Sequence, residues 1–379
     1  MPAPASPLRL LIVLPSWIGD VVMATPTIRR IRNAYPGIFI GALVKPGINQ
    51  LLSGNTLFDE LHIATSTGMM ATKKTANKIR PRQYDTALLL TNSFSTALTT
   101  RLAFIPRRIG YDRDTRAMLL TDPIAPPRNP DKSWKLTPAV DYYWNLASHL
   151  LNQPPLDWSI HTPANCKDLP LALPNDTYME LGFTNPDQTK ATDILDRAHS
   201  AGDPNTHARY AILNPGGNNP AKRWPIDRFA QLADHLQTKH NLRVLINGSP
   251  AEANLVNQII ALANTDPISL PALGNTLGTL KPIIAGASIL ITNDTGPRHI
   301  AAAFGTPIIT LFGPTDPRWT TIPTRPLPNG SPSETIIVAD ESLPPDQSAN
   351  DHPNRCSIEH ITLPKVRESV DCTLCASSP

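Results

Sequence analysis

Residues 8–20 read LRLLIVLPSWIGD. The run 8–14 is apolar apart from Arg9, Pro15 breaks it, and a helical spacing of apolar positions takes over across 19–33, so the segment reads as strand, loop, helix. Working outward, GIFIGALV (37–44), 61–64 and TALLL (86–90) are further short apolar runs with helical or loop spacers between them. Strands that alternate with helices predict a parallel, doubly wound sheet. The rhythm lapses across 154–205, where Pro, Asn and Asp are frequent and only 187–200 has a helical pattern, and the interdomain connection is expected there. It then restarts with strands at 210–213, 242–246, 289–292 and 308–311 and helices at 226–239, 251–263 and 296–304. The expected domains are 1–185 and 186–345, with a tail at 346–379 whose helical stretch, 362–370, has the apolar positions of a docked element.

Composition agrees with two globular domains: 379 residues, 41% hydrophobic, 17% charged, with many proline-punctuated loops. No apolar run reaches the ~18 residues of a membrane span, so neither a transmembrane helix nor a signal peptide is expected. Four cysteines in such a length do not form an oxidised framework, and a reducing cytoplasm is the expected compartment. The net charge of +3 hides an asymmetry: residues 1–150 hold 18 Lys and Arg against 9 Asp and Glu, a net +9, and the remainder is −6. The basic half either attracts an anionic partner or is an ordinary solvated surface.

In an open α/β sheet, ligands bind past the carboxyl ends of the strands. Four loops there carry chemistry. In Pro15-Ser16-Trp17-Ile18-Gly19-Asp20, Gly19 is expected to let the backbone turn, and Asp20 is either a helix N-terminal charge or a base for a substrate hydroxyl. Residues 214–225, NPGGNNPAKRWP, combine glycines, a following helix start, Lys222 and Arg223; this is either a phosphate cradle or a plain glycine-rich turn, and it matches neither a Walker A loop nor GxGxxG. In 246–252, Glu252 either meets a ribose or is a first-turn Glu. Residues 292–299, TNDTGPRH, are either a ligand loop or helix-start chemistry, and His299 either a ligand or a structural side chain.

Together, PSWIGDVVMATP (15–26), PAKRWP (220–225) and TNDTGPRH (292–299) resemble the ADP-heptose:lipopolysaccharide heptosyltransferases of glycosyltransferase family 9. Pro-Ser-Trp before Gly-Asp, and Met23 three residues past Asp20, are similar to the type II enzymes. The resemblance implies a GT-B architecture: two Rossmann-like domains facing a cleft, acceptor on the first and nucleotide sugar on the second, with the C-terminal helix crossing back to the first domain. It makes Asp20 the catalytic base and Lys222 the donor-phosphate ligand. Asn214, Gly216, Gly217, Asn218, Gly248, Glu252, Asp294, Thr295, Gly296 and His299 become donor contacts, and Ser16, Trp17 and Gly19 acceptor contacts. Arg107, Arg108 and Arg113 suit an acceptor that carries phosphate and acidic sugars, because guanidinium pairs bidentately with both.

The implied reaction is inverting transfer of heptose from ADP-heptose to the lipopolysaccharide inner core, at the cytoplasmic face of the inner membrane. Lys73, Lys74, Lys78, Arg80 and Arg82 would draw the enzyme to that anionic leaflet. The ADP-sugar is a co-substrate; no cofactor, metal or nucleic acid is expected. Asp112-Arg113-Asp114 has the Asp-x-Asp spacing of a metal-dependent transferase but lies among arginines. Cys356/His360 and Cys372/Cys375 have zinc-compatible spacings, with reduced free thiols as the other reading. The rival functions are a GT-B transferase of another surface polysaccharide and a non-catalytic nucleotide-sugar binder.

Overall fold

The computed structural model describes residues 7–65, 70–199 and 209–377. Position 200, the end of the expected 187–200 helix, and 201–205 of the expected connection lie outside the described residues, as do 206–208. The chain divides into two compact units, one of Met1–Thr162, Pro170–Gly182 and Trp319–Thr321, the other of Pro163–Leu169, Phe183–Arg318 and Ile322–Pro379.

The first unit holds a parallel sheet of six strands, β1 (Arg9–Val13), β2 (Phe39–Val44), β3 (Glu60–Ile63), β4 (Thr86–Leu89), β5 (Arg107–Tyr111) and β6 (Asp122–Ile124), in the order β3-β2-β1-β4-β5-β6. β1 is central, pairing Leu11 with Gly41 on one side and Ala87 on the other. Leu10, Leu11 and Ile12 are completely buried, as a strand covered on both faces requires. Each contributes about 1.5–3 kcal/mol relative to exposure. The single helix expected over 19–33 is two, Ile18–Met23 and Thr25–Ala34, because Pro26 lacks the N–H that an uninterrupted helix would need and suits the first turn of a new one.

The second unit repeats the design with β7 (Tyr210–Asn214), β8 (Arg243–Ile246), β9 (Ile268–Ser269), β10 (Ile289–Asn293), β11 (Ile308–Phe312) and β12 (Glu334–Val338), ordered β12-β11-β10-β7-β8-β9. Counting within each unit, both sheets run 3-2-1-4-5-6, with the switch of strand order at β1/β4 and at β7/β10.

The terminal helix spans Leu363–Ala376. Contrary to the expected return to the first domain, it packs on the helix Ile226–His240 and on β11 and β12, with Val366 and Val370 fully buried in the second unit's core. Its apolar stripe completes the face of the sheet nearest in the chain, and Trp224 Nε1 seals the approach by donating to the Ile361 carbonyl at 2.8 Å. Among the described residues no helix is long and apolar enough to cross a membrane.

Candidate active site

At the first switch point, β1 ends in Leu14-Pro15-Ser16-Trp17 and the chain enters the helix Ile18–Met23, placing Asp20 in its first turn. Gly19 is helical and has no positive φ, so the turn does not depend on its conformational freedom. Asp20 is partly exposed, and its Oδ1 accepts the phenol proton of Tyr143 at 3.0 Å. Tyr143 belongs to the helix Ala139–Leu150; burial first, and the Asp20 charge second, push its pKa well above 10, so the phenol stays a donor. Ser16 is partly buried and Trp17 stands 63% exposed on the same loop.

Arg116 ties the adjoining strand ends together. Fully buried, it donates from Nε to the Tyr111 carbonyl (3.0 Å), from Nη1 to the Thr91 carbonyl, and from Nη2 to Asn92 Oδ1 (3.4 Å), and burial lowers its pKa to about 10. Arg113, past the end of β5, stacks 3.9 Å from the Trp134 ring, with Arg128 3.8 Å from the same ring. Arg107 and Arg108 are elsewhere. They open β5, and in a parallel sheet that puts them at the amino edge, opposite the edge that carries Asp20. Arg107 pairs with Asp122 at 3.2 Å, and Arg108 spends its guanidinium on the carbonyls of Ile105, Pro106 and Leu119. Their place with Arg113 in an acceptor site is therefore corrected.

The second switch point is built from amides and charges. Asn214 and Thr292 are register partners on β7 and β10. Asn214 Nδ2 donates to Thr292 Oγ1 (3.0 Å) and Thr295 Oγ1 (2.9 Å), while its Oδ1 accepts from Asn247 Nδ2 (2.7 Å). Asn293 Nδ2 donates to the carbonyls of Pro215 (2.8 Å) and Gly216 (3.2 Å), and its Oδ1 accepts the Trp224 N–H at 3.3 Å. These buried amides satisfy loop carbonyls that would otherwise be orphaned, and so fix the 215–224 loop over the strand ends.

On this frame Lys222 Nζ meets Asp294 Oδ2 at 2.8 Å, and Arg298 approaches Asp294 at 3.7 Å while pairing with Glu334 at 2.6 Å. Burial alone would raise the Asp294 pKa; Lys222 and Arg298 outweigh it and the net shift is downward. His299 is buried, its Nδ1 has no hydrogen-bond partner, and burial, reinforced by Arg298, drives its pKa down to about 3. It is a neutral imidazole at physiological pH.

Glu252 closes a capping box with Ser249 and reaches across to accept the Gly217 N–H at 2.9 Å, so that N–H is already engaged. A Cβ on Gly216 would lie 2.3 Å from Glu252 Oε1, and one on Gly248 2.9 Å from Val256; both positions need glycine for close approach. Neither has a positive φ. Asn218 is exposed, and Thr295 and Gly296 begin the helix Gly296–Phe304 beside Asp294. Tyr143, Asn247, Asn293, Arg116 and Arg298 were not singled out by the sequence. Among the described residues no group of three or more metal-ligating side chains includes Asp112, Asp114, Cys356, His360, Cys372 or Cys375.

Two 3-2-1-4-5-6 sheets, each with polar side chains gathered past its switch-point strands, define a protein with a pair of Rossmann-like units. The model of glycosyltransferase family 9 (heptosyltransferase) matches residues 72–354, and the chain belongs to this family: it is a glycosyltransferase of the GT-B class. It is 30% identical over 324 residues to lipopolysaccharide heptosyltransferase 2 of Salmonella typhimurium, a match covering 83% of this chain and 85% of that protein. The structure of Escherichia coli ADP-heptose lps heptosyltransferase II superposes with a TM-score of 0.72 at 26% identity, covering 97% of this chain and 98% of the other. A glycosyl transferase family 9 structure from Veillonella parvula gives a TM-score of 0.74 at 20% identity, covering 97% of each.

Proposed function

We propose that this chain transfers heptose from ADP-heptose to the lipopolysaccharide inner core, with inversion, no covalent intermediate and no metal in the chemical step. The observation that carries the reading is the Lys222–Asp294–Arg298 cluster at the β7/β10 switch point. An ammonium held by a carboxylate is poised for exchange: an arriving diphosphate, with more charge and more acceptor oxygens than Asp294, takes over Lys222 without a new cation having to be desolvated. The helix start at Gly296 adds N–H groups and dipole on the same side. As the sugar–phosphate bond breaks, charge grows on the leaving ADP, and Lys222 neutralises it, the part a divalent cation plays in other transferases.

In the first unit, Asp20 takes the proton from the attacking acceptor hydroxyl. Tyr143 fixes one carboxylate oxygen at 3.0 Å, which orients the other lone pairs. Neutral His299 serves as a polar contact for the donor rather than an acid. Arg113 offers a guanidinium at the carboxyl edge for an anionic acceptor, and Arg107 and Arg108 are left out of that role. The helix Ala71–Ile79 exposes Lys73, Lys74 and Lys78, and Arg80 stacks 4.5 Å from the exposed Phe104; this basic, partly aromatic surface supports peripheral association with an anionic bilayer.

Calorimetric titration with ADP-heptose, an ADP-hexose and a UDP-sugar, without added metal, tests the donor assignment. Selective ADP-heptose binding is expected; preference for the UDP-sugar would replace the substrate while leaving the family unchanged.

A further inference from the structure

Outside the candidate active site, one cluster converges in the way a metal site does. His235 and His240 lie near the end of the helix Ile226–His240, and Asp371 lies on the terminal helix packed against it. Both imidazole Nε2 atoms face the same carboxylate oxygen, Asp371 Oδ1, at 2.9 Å from His235 and 2.6 Å from His240. The three ligating atoms lie within 4.8 Å of one another, and this is the group of that kind found among the described residues. The side chains are 14%, 16% and 28% exposed: sheltered, yet open to solvent on one side.

From this geometry we infer a site for one late first-row divalent cation, of the Zn²⁺ type, bound by His235 Nε2, His240 Nε2 and Asp371 Oδ1. Two imidazoles and a carboxylate are the donor set that suits Zn²⁺, Co²⁺ or Ni²⁺ rather than Mg²⁺ or Ca²⁺. Tetrahedral ligands at roughly 2.0–2.2 Å from zinc stand about 3.4 Å apart, so shifts on the order of 1 Å open the cluster around an ion, with water completing the shell. Each ring presents its Nε2 lone pair to the ion in place of its hydrogen bond to Asp371 Oδ1. Lys239 also touches the cluster; its Nζ takes Asp371 Oδ2 at 2.6 Å and leaves Oδ1 to the ion. The last turn of a helix of 15 residues adds the negative end of its dipole. The bound ion clasps the terminal helix to the second unit and stands apart from the transfer chemistry.

The test is calorimetric titration of the chelator-stripped full chain with Zn²⁺, paired with thermal melts and with Co²⁺ absorption as the spectroscopic reading. One site is expected, with a rise in Tm on binding. Affinity should weaken about tenfold or more in His240→Ala and in Asp371→Asn, equivalent to about 1.4 kcal/mol. Lys239→Met, which keeps all three ligands and removes the competing ammonium, should bind more tightly. A Cys372→Ser/Cys375→Ser chain controls for the exposed thiols and should bind as the parent does. Absence of saturable binding, loss of the site in the cysteine variant, or unchanged affinity in both His240→Ala and Lys239→Met overturns the inference.

Discussion

Lys222 and Asp20 carry the account at the scale of single residues. Replacing Lys222 by Ala removes the cation proposed to exchange Asp294 for diphosphate, and it leaves Asp294 with Arg298 at 3.7 Å as its ion-pair partner. Donor affinity measured by calorimetry should fall more than tenfold. Tyr143→Phe deletes one hydrogen bond to the proposed base without changing ring packing. In steady-state kinetics kcat should drop about tenfold while donor KM stays put; an unchanged kcat would remove Tyr143 from the reaction. The placement of Asp20, Lys222 and Asp294 past strand ends was legible in the sequence because each follows a strand in a short motif. Tyr143 was not, since its link to Asp20 spans 123 positions and only the packing of a helix against the β1 loop creates it. Arg107 and Arg108 misled for a related reason: composition reports a charge but not which edge of the sheet it stands on.

Among the elements, the buried central strands announced themselves as apolar runs, whereas β5 (RRIGY), β6 (DPI), β9 (IS) and β12 (ETIIV) did not. Three of these are edge strands, of which β6 and β9 hold little apolar sequence and β12 opens with two polar residues; β5 opens with two arginines, and pairing with a formed neighbour supplies what their own pattern lacks. The amide lattice was equally hidden, since Asn247 and Asn293 read as ordinary loop polar residues until β7, β8 and β10 are side by side. It is an element-level device, and its loss should be felt as stability. Asn293→Ala leaves two loop carbonyls and the Trp224 N–H without their partner. Urea denaturation should show a loss of about 2–3 kcal/mol. Gly216→Ala acts on the same loop from the other side: the new methyl collides with the Glu252 carboxylate and pushes it off the Gly217 N–H. Donor binding should weaken severalfold with the fold retained, as calorimetry beside a circular-dichroism melt would report.

For the whole molecule, the 3-2-1-4-5-6 order used twice puts Asp20 and the Lys222–Asp294 pair past strand carboxyl ends, and in the proposed mechanism one unit supplies the base and the other the phosphate-binding charges. Global stability should also carry a signature of Lys281, fully buried on the helix Leu277–Ala285, whose pKa burial lowers to about 8. Between pH 8 and about 10.5 the unfolded chain binds the proton that the folded chain has lost, so this group makes stability rise with pH across that window and costs stability below it. Lys281→Met should flatten the rise, readable in denaturation midpoints across pH. The central claim, that the family 9 fold here moves heptose by base catalysis from Asp20, is met most directly by product analysis. The parent chain and Asp20→Asn are each incubated with ADP-heptose and an inner-core acceptor, and the products are weighed by mass spectrometry. The account predicts acceptor gaining one heptose with the parent chain, and at least about a hundredfold slower gain with Asp20→Asn despite intact ADP-heptose binding. Equal rates in the two chains, or no heptose transfer by the parent, would contradict it.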